Sequence, residues 1–503
     1  MSQKAIIIGA GYAGIALANL LGKAGYSVDV YEKNAEPGGR IYVQKQDGFT
    51  FDLGPSWYLI PEAFDDYYSI FSENASTRLD LQRLTPGYKV FYENKDPITV
   101  QGSLEEDMKT FEAIEPGAGD ALRRYIDISQ RIYERATQSF LYSNFERPAL
   151  AMLRDPLLMA RVASMSLDKH VSQYVQDQRL KQILEYQAVF LGNSPFELPA
   201  LYSLMSTLDF KSGVFYPKRG MYSLAEDIQA LGDQYDITYH FDSPVQRIVT
   251  DEGCATGILL ANGQEVHADL VIANADLQHV ETNLLAPEDQ SFPASYWDKK
   301  QPGPGGLIIS LGVKGTLPQL THHSLLFVDA WAENFDAIYK AKTMPENASI
   351  YVCNPSKSDP SLAPAGHENL FILVPIPAGL ALTKEAEQEY ANHYIDQVGT
   401  MIDAPDLRQR EVSRLIFGPE AFGSRYNAWQ YNAFGGQSHL LSQSAVLRTR
   451  NKSKKVKNLY YVGAGTLPGI GLPMCLISAQ QTFKKIAGLK QDGPLSASDI
   501  DQL

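Results

Sequence analysis

The chain has 503 residues, a length that predicts two domains or more, and its 44% hydrophobic and 20% charged residues are typical of a folded globular protein. A formal net charge of −14 argues against nucleic acid as a partner and against broad adsorption to anionic lipid, because both require basic surface. The 28 Tyr and 21 Phe would suit a pocket for a large apolar molecule, although they could equally fill cores.

Cysteine and histidine usage predicts neither a disulfide framework nor a metal site. The three cysteines, Cys254, Cys353 and Cys475, are far apart in sequence, which fits a reducing compartment. The neighbouring His322 and His323 do not form a spaced ligand motif, so we expect no metal. No apolar run reaches the ~20 residues that span a bilayer, and we expect no removable leader before the first strand.

The first predicted elements, "KAIIIGAGYAGIALANLLGKAGYSVDVYEK" at 4–33, are an apolar strand, a glycine-rich turn, a helix and a second strand. The G-x-G-x-x-G pattern allows a tight turn, close approach of a pyrophosphate, and close packing of helix on strand. The helix N-terminus would meet the phosphates, and Glu32 would accept hydrogen bonds from an adenosine ribose. The segment therefore predicts dinucleotide binding by Gly9, Gly11, Tyr12, Ala13, Gly14, Glu32 and Lys33.

A second glycine turn, Gly38-Gly39-Arg40, follows the second strand, and "DGFTFDLGP" then forms a strand and a turn. The glycine pair would approach the diphosphate again while Arg40 supplies positive charge, with an ordinary surface turn as the alternative. This arrangement resembles the glutathione-reductase-type FAD domain of the amine oxidase and carotenoid desaturase superfamily. The resemblance implies FAD as the cofactor, held here by Gly39, Arg40, Gly54, Pro55 and Ser56.

The segment 212–280 continues the same predicted domain. "MYSLAEDIQALGDQY" is an amphipathic helix, "DITYHF" is a short strand, and the alternating residues after it predict a β-meander with glycine turns. Flavoproteins of this type hold adenine with the backbone at the position of Val245. "DLVIANA" would be a strand that rejoins the parallel sheet.

A third glycine-rich turn lies close to the C-terminus, in "NLYYVGAGTLPGIGLPMC". We expect a last strand there, and a helix whose N–H groups meet the other end of the same FAD, with a strand and helix that bind nothing as the alternative. The binding residues expected here are Gly463, Gly465, Thr466, Gly471 and Leu472.

The predicted fold class is α/β. A discontinuous Rossmann-like FAD-binding domain of the glutathione-reductase type would comprise residues 1–95, 212–300 and 440–503. An inserted α+β substrate domain would comprise residues 96–211 and 301–439, with a helical, membrane-facing part around 140–180.

Nearly the whole chain resembles the bacterial phytoene desaturase family, including the desaturases of thirty-carbon precursors. The matching strings include "EKNAEPGGR", "VFYPKRGMYSLAEDI", "DPSLAPAGHENLFILVPIP", "FGGQSHLLSQSAVLR" and "NLYYVGAGTLPGIGLP". The chain departs from the family pattern at Leu467, where His is frequent, and at Arg219-Gly220, where a glycine pair is usual.

The resemblance implies an FAD-dependent desaturase that introduces double bonds into a linear carotenoid precursor of the phytoene or diapophytoene type, by hydride transfer to flavin N5. Oxygen or a quinone would accept the electrons. No catalytic residue is assigned, because Arg40, Arg448 and Thr466 belong to motifs on the FAD side. A carotenoid isomerase or a terminal-methyl oxidase is an alternative within the superfamily, and an amine oxidase or a non-catalytic flavin or carotenoid carrier is a more distant one.

A long hydrocarbon substrate implies an entrance that faces a membrane. The stretch 145–175 has Leu, Met and Ala on a broad face with interleaved basic residues, as in helices that lie in a bilayer interface. We expect a cytoplasmic protein, peripheral on the cell membrane, although the same stretch could be a helix that covers the substrate domain.

Overall fold

The computed structural model describes residues 3–137, 141–143, 162–444 and 447–502, which form a mixed α/β fold. One of its two large sheets has five strands, all parallel. In spatial order they are Leu459–Tyr461, Leu270–Ala273, Lys4–Ile8, Ser27–Tyr31 and Ile237–His240. The first strand of the chain is therefore separated from the last by a single strand. The predicted return of "DLVIANA" to a parallel sheet is confirmed.

Two helices from opposite ends of the chain, Tyr12–Lys23 and Leu472–Ala487, pack against each other beside this sheet. Each follows a glycine turn, and their apolar residues share one core with the sheet strands, including Ile15, Leu476 and Phe483. The predicted meander is also confirmed. It is a three-stranded antiparallel sheet of Val245–Asp251, Cys254–Leu260 and Glu265–His267.

The second large sheet has seven strands of mixed direction. In spatial order they are Glu411–Phe417, Gly305–Lys314, His367–Ile376, Ile350–Cys353, His323–Phe327, Tyr88–Tyr92 and Lys95–Val100. The pair His323–Phe327 and Tyr88–Tyr92 is parallel, and the other pairs are antiparallel. The strand Tyr88–Tyr92 belongs to this sheet, although the division predicted from the sequence puts residues 88–92 in the cofactor-binding part.

Alternate residues of the seven-stranded sheet serve two different cores, because successive side chains of a strand point to opposite faces. Ile372 and Val374 pack under the helix Lys384–Met401. Phe371 and Leu373, which alternate with them, point to the opposite face and join the large core that also contains residues of the five-stranded sheet. Both side chains line an internal cavity. This second face is the part of the sheet that positions the site.

The described part of the chain also forms two small sheets and twelve further α-helices. Two-stranded sheets pair Val43–Gln46 with Phe49–Asp52 and Leu81–Arg83 with Phe215–Pro217. The other α-helices are Pro61–Ser69, Ala75–Arg78, Leu104–Ile114, Ala118–Ala136, Leu167–Val171, Gln178–Glu185, Ser223–Leu231, Leu277–His279, Ala294–Trp297, Trp331–Asp336, Pro419–Tyr426 and Ala497–Asp501. Among the described residues, none of the helices is both long and apolar enough to cross a bilayer. Of the predicted interfacial stretch 145–175, residues 145–161 lie outside the described residues.

Candidate active site

A cavity of about 1160 Å³ lies between the carboxyl ends of strands of the five-stranded sheet and one face of the seven-stranded sheet. All three glycine turns singled out in the sequence contribute to its wall, together with the inner face of the seven-stranded sheet. The N-termini of helices Tyr12–Lys23 and Leu472–Ala487 open into it, and neither has a side-chain cap. Both helix ends therefore present unpaired N–H groups and positive dipole ends to the same space.

The first glycine turn has no room for side chains. Gly9 has φ of +100°, and a Cβ on Gly14 would lie 2.5 Å from the carbonyl oxygen of Gly9 and 2.5 Å from Nδ2 of Asn274. The Asn274 amide donates hydrogen bonds to the carbonyls of Gly9 (3.0 Å) and Gly11 (3.2 Å). Gly14 thus shapes the turn rather than lining the cavity, while Gly9, Gly11, Tyr12 and Ala13 line it.

Asn274 is a site residue that sequence reasoning missed. It directly follows the strand Leu270–Ala273, and its only sequence signal was its position at the carboxyl end of a predicted parallel strand. Ligands of open α/β sheets bind outside the carboxyl ends of the strands. Asn274 lines the cavity beside the first turn and holds that turn in shape.

The Glu32 carboxylate is buried at the end of the second strand and lines the cavity. It accepts hydrogen bonds from the backbone N–H of Ala10 (2.8 Å) and from the backbone and side-chain N–H groups of Asn34 (2.9 and 2.7 Å). These bonds fix the carboxylate at the place where a ribose is expected. The Lys33 ammonium donates to the Ser424 carbonyl (2.6 Å) and to Asn427 (3.0 Å), and burial lowers its pKa.

The second glycine turn touches the first. The Gly38 N–H donates to the Ala10 carbonyl (2.8 Å), and a Cβ on Gly39 would lie 3.0 Å from the Cα of Gly11. The Arg40 guanidinium donates from Nε to the Ala433 carbonyl (3.1 Å), while its Nη2 is buried without a hydrogen-bond partner. Burial lowers the pKa of Arg40, and the nearby Asp276 carboxylate opposes that shift.

Gly54, Pro55, Ser56 and Val245 also line the cavity. Gly54 cannot be replaced without moving the backbone, because a Cβ there would lie 1.9 Å from the Arg40 carbonyl oxygen. The turn after the strand Phe49–Asp52 thereby packs directly on the second glycine turn.

The C-terminal turn closes the cavity from the other side. Gly463 has φ of +104° and Gly471 has φ of +123°, and Gly463, Gly465, Gly471 and Leu472 all line the wall. Thr466 does not line it. Its hydroxyl donates to the Gly463 carbonyl (2.9 Å) and shares a hydrogen bond with Ser478 (3.1 Å), so it holds the turn against the helix.

Arg448 is buried behind the same turn and holds it through hydrogen bonds to backbone carbonyls. Its guanidinium donates to the carbonyls of Ala464 (2.9 Å), Thr466 (3.1 Å) and Gln437 (3.2 Å), and burial lowers its pKa to about 10. The contact with Gln437 joins the turn to the segment 433–436, which lies between Arg40 and Ala464. The predicted division assigned that segment to substrate binding, so its contact with Arg40 was missed.

Beyond the glycine turns the cavity wall is apolar and aromatic. It includes Trp57, Phe190, Phe371, Leu373 and Leu467. Among the described residues that line the cavity, the carboxylates are those of Glu32 and Asp276, both beside the glycine turns. The far part of the cavity therefore suits a hydrocarbon.

The nucleotide end of the cavity fits FAD. Glycines of all three turns line it, so the backbone itself forms this part of the wall. Two helix N-termini supply free N–H groups, and the buried Nη2 of Arg40 is a donor without an acceptor, which a diphosphate oxygen could supply. Glu32 supplies a fixed acceptor at the other side of the first turn. This fold and site define a dinucleotide-binding oxidoreductase with an apolar substrate cavity.

Residues 12–483 match the family described as Flavin containing amine oxidoreductase, and the chain belongs to that family. It is 38% identical over 485 residues to a carotenoid 3,4-desaturase of Haloarcula japonica, covering 95% of this chain and 97% of the relative. It is 31% identical over 495 residues to a zeta-carotene-forming phytoene desaturase of Myxococcus xanthus, covering 96% and 94%. The predicted family resemblance is confirmed.

A solved structure of putrescine oxidase bound to putrescine has a TM-score of 0.62 to this chain at 16% identity, over 97% of this chain and 99% of that one. At this identity the likeness shows the fold alone. The family match and the site together make the protein an FAD-dependent oxidoreductase, as predicted.

Proposed function

We propose that the protein is a desaturase that introduces double bonds into a linear carotenoid precursor. The observation that carries the proposal is one continuous cavity, which has a glycine cradle for FAD at one end and an aromatic, uncharged wall at the other. Relatives that cover nearly the whole chain are named as carotenoid and phytoene desaturases, which supports the same substrate class.

In this proposal one large sheet belongs to the FAD-binding part and the other to the substrate-binding part. The five-stranded sheet, the meander and the helix Leu472–Ala487 form a discontinuous, Rossmann-like FAD-binding part of the glutathione-reductase type, because they carry the glycine turns. The seven-stranded sheet and the helices around it form the inserted substrate-binding part, since its inner face supplies apolar wall residues such as Ile308 and Phe371.

When bound, FAD supplies the hydride acceptor for the removal of two hydrogens from adjacent carbons. The chain's own residues align and enclose the polyene. Trp57, Phe371 and Leu373 form a wall that excludes water, and the backbone turns fix the relative position of nucleotide and substrate spaces. A cavity of this kind suits a reaction whose difficult step belongs to the cofactor.

His439 is the residue we propose as the acceptor of the departing proton. Its Nδ1 donates to the Leu191 carbonyl (2.9 Å), which fixes the neutral tautomer with a lone pair on Nε2. The side chain lines the cavity, with Nε2 close to Gly469 of the C-terminal turn. Burial lowers the pKa of His439 to about 3, so the ring is neutral at pH 7 and only a weak base; a weak base is enough here, because the proton beside a delocalised polyene cation is strongly acidic.

The cavity opens at an exposed apolar rim. Leu441 and Leu447 line the cavity and yet are 51% and 57% exposed. Because a linear hydrocarbon substrate resides in a bilayer, we propose that this rim faces the cytoplasmic surface of the cell membrane and that the protein binds there peripherally.

Vesicle flotation tests the proposed rim. Replacing both Leu441 and Leu447 by Glu should reduce the fraction of protein that floats with phosphatidylcholine vesicles, because charges at the rim oppose entry into the interface. Val412 is the matched control, since it is also an exposed apolar residue (47%) but does not line the cavity. A Val412→Glu variant that loses binding as strongly as the rim variant would contradict the assignment.

Expression in two hosts tests the proposed reaction. One host accumulates phytoene and the other its thirty-carbon counterpart, and pigment extracts are analysed by absorption and mass spectra. The expected products have lost hydrogen pairs and absorb at longer wavelength. Products with unchanged mass would indicate isomerisation, products that gained oxygen would indicate terminal-methyl oxidation, and colourless extracts from both hosts would refute desaturation. Reoxidation by oxygen or by a quinone is distinguished by repeating the assay anaerobically with added quinone.

A further inference from the structure

A compact cluster of three potential metal ligands lies behind the cavity wall, at one end of two paired strands. His323 and Cys353 are directly opposite each other in the antiparallel pair His323–Phe327 and Ile350–Cys353. His322 precedes the strand, and a bend there brings its ring to 4.4 Å from that of His323, centroid to centroid. One ligand atom from each of the three residues falls within 4.8 Å of the other two. All three side chains are buried.

Each imidazole is held through one nitrogen and leaves the other without a partner. The Nδ1 of His322 is 2.8 Å from the Ser358 hydroxyl, and the Nδ1 of His323 is 2.7 Å from the Tyr351 hydroxyl. Both Nε2 atoms are buried and make no hydrogen bond. A buried polar atom without a partner requires an explanation, and an imidazole fixed through its second nitrogen is the usual arrangement of a metal-ligating histidine.

We propose that His322, His323 and Cys353 form a binding site for a single soft, monovalent metal ion, Cu(I). Binding forms two Cu–N bonds to the Nε2 atoms and one Cu–S bond to Cys353, and the thiol proton leaves to solvent. The proposal departs from the expectation of no metal, because this bend brings one ligand atom of each adjacent histidine within 4.8 Å of the other.

The ligand set and its charge favour Cu(I) over Zn²⁺. Thiolate and imidazole are soft enough for either ion, but structural zinc is almost always four-coordinate. Asp52, the carboxylate that interacts electrostatically with Cys353, already accepts hydrogen bonds from the Met221 and Tyr222 N–H groups and the Tyr216 hydroxyl. One thiolate compensates the single charge of Cu(I), and among the described residues the cluster offers three ligands, one fewer than structural zinc takes.

A metal at this site would restrict the movement of side chains in the cavity wall. Trp57 lines the cavity and stacks on the His323 ring, with centroids 3.9 Å apart, and Tyr351 lines it as well. A metal bound to His323 would therefore fix the position of two side chains that contact the substrate space.

The test is an anaerobic titration of the FAD-loaded protein with Cu(I) against a chromophoric Cu(I) chelator, followed by metal analysis after gel filtration. The wild type and the matched thiol control Cys254→Ser should each retain about one Cu(I) per chain, with release of about one proton, and Cys353→Ser should lose at least about ten-fold in affinity. X-ray absorption should show one sulfur and two nitrogen neighbours.

Two further results decide the case. His322→Gln should lose Cu(I) while it keeps its FAD absorbance, which separates metal binding from folding and from the proposed desaturation. Retention of Cu(I) by Cys353→Ser at wild-type affinity would overturn the site. Preferential retention of Zn²⁺ when both ions are supplied would overturn the assignment of a monovalent ion.

Discussion

Substitution of Arg40 tests the nucleotide site most sharply. One of its N–H groups already bonds to the Ala433 carbonyl, and Nη2 is buried without a partner. A hydrogen bond to a charged group contributes about 1.5–3 kcal/mol, and about 1.4 kcal/mol corresponds to a factor of ten in affinity. If Nη2 donates to the diphosphate of FAD, Arg40→Met should weaken FAD binding by about 10- to 150-fold. Arg40→Lys keeps the positive charge but loses the planar, two-pronged guanidinium, so its affinity for FAD should lie between those of the wild type and Arg40→Met.

The assay is the quenching of flavin fluorescence as apoprotein is titrated into FAD. Arg410→Met is the control, because the Arg410 guanidinium, like that of Arg40, donates to backbone carbonyl oxygen (those of Lys314 and Thr316) but lies outside the cavity. Thermal unfolding of each apoprotein separates loss of binding from loss of fold. An affinity of Arg40→Met within about twofold of the wild type would refute the diphosphate contact.

Three other substitutions give further predictions. Glu32→Arg should reduce the yellow colour of the purified protein, because it removes the fixed ribose acceptor, and unchanged flavin content would contradict that role. Gly14→Ala should destabilise the fold by about 1–3 kcal/mol in urea unfolding and release FAD, because the added Cβ would lie 2.5 Å from the Gly9 carbonyl oxygen. An unchanged urea midpoint would contradict the close packing at Gly14. Burial raises the pKa of Asp209 from 3.8 to about 7, so the folded state holds this proton longer and stability falls as pH rises between those values. Asp209→Asn should flatten that part of the Tm profile, and an unaltered slope would refute the shift.

Much of the parallel sheet could be predicted because its signals are local. Strands such as Lys4–Ile8 are buried on both sides, so they read as unbroken apolar runs. Glycines at positive φ, such as Gly9 and Gly463, mark turns that other residues rarely adopt. These features made the joining of the two chain ends around one site predictable without a structure.

The unpredicted features depend on contacts between distant residues. Asn274 supports the first glycine turn across a sequence separation of 265 residues, and Arg448 joins two segments through backbone carbonyls that carry no sequence signal. The pairing of the strand Tyr88–Tyr92 could not be predicted, because its parallel partner, His323–Phe327, lies more than two hundred residues away. Likewise, the spacing of His322, His323 and Cys353 resembles no motif, and only strand pairing brings them together.

The most direct test of hydride transfer from a polyene is a single anaerobic turnover. The FAD-loaded protein is mixed with phytoene or its thirty-carbon counterpart in detergent, and the flavin absorbance is followed together with that of the polyene. We expect the oxidised flavin band to bleach as a longer-wavelength polyene band appears in matching amount. A flavin band that persists with both polyenes, in protein that a chemical reductant still bleaches, would contradict hydride transfer from the polyene to FAD.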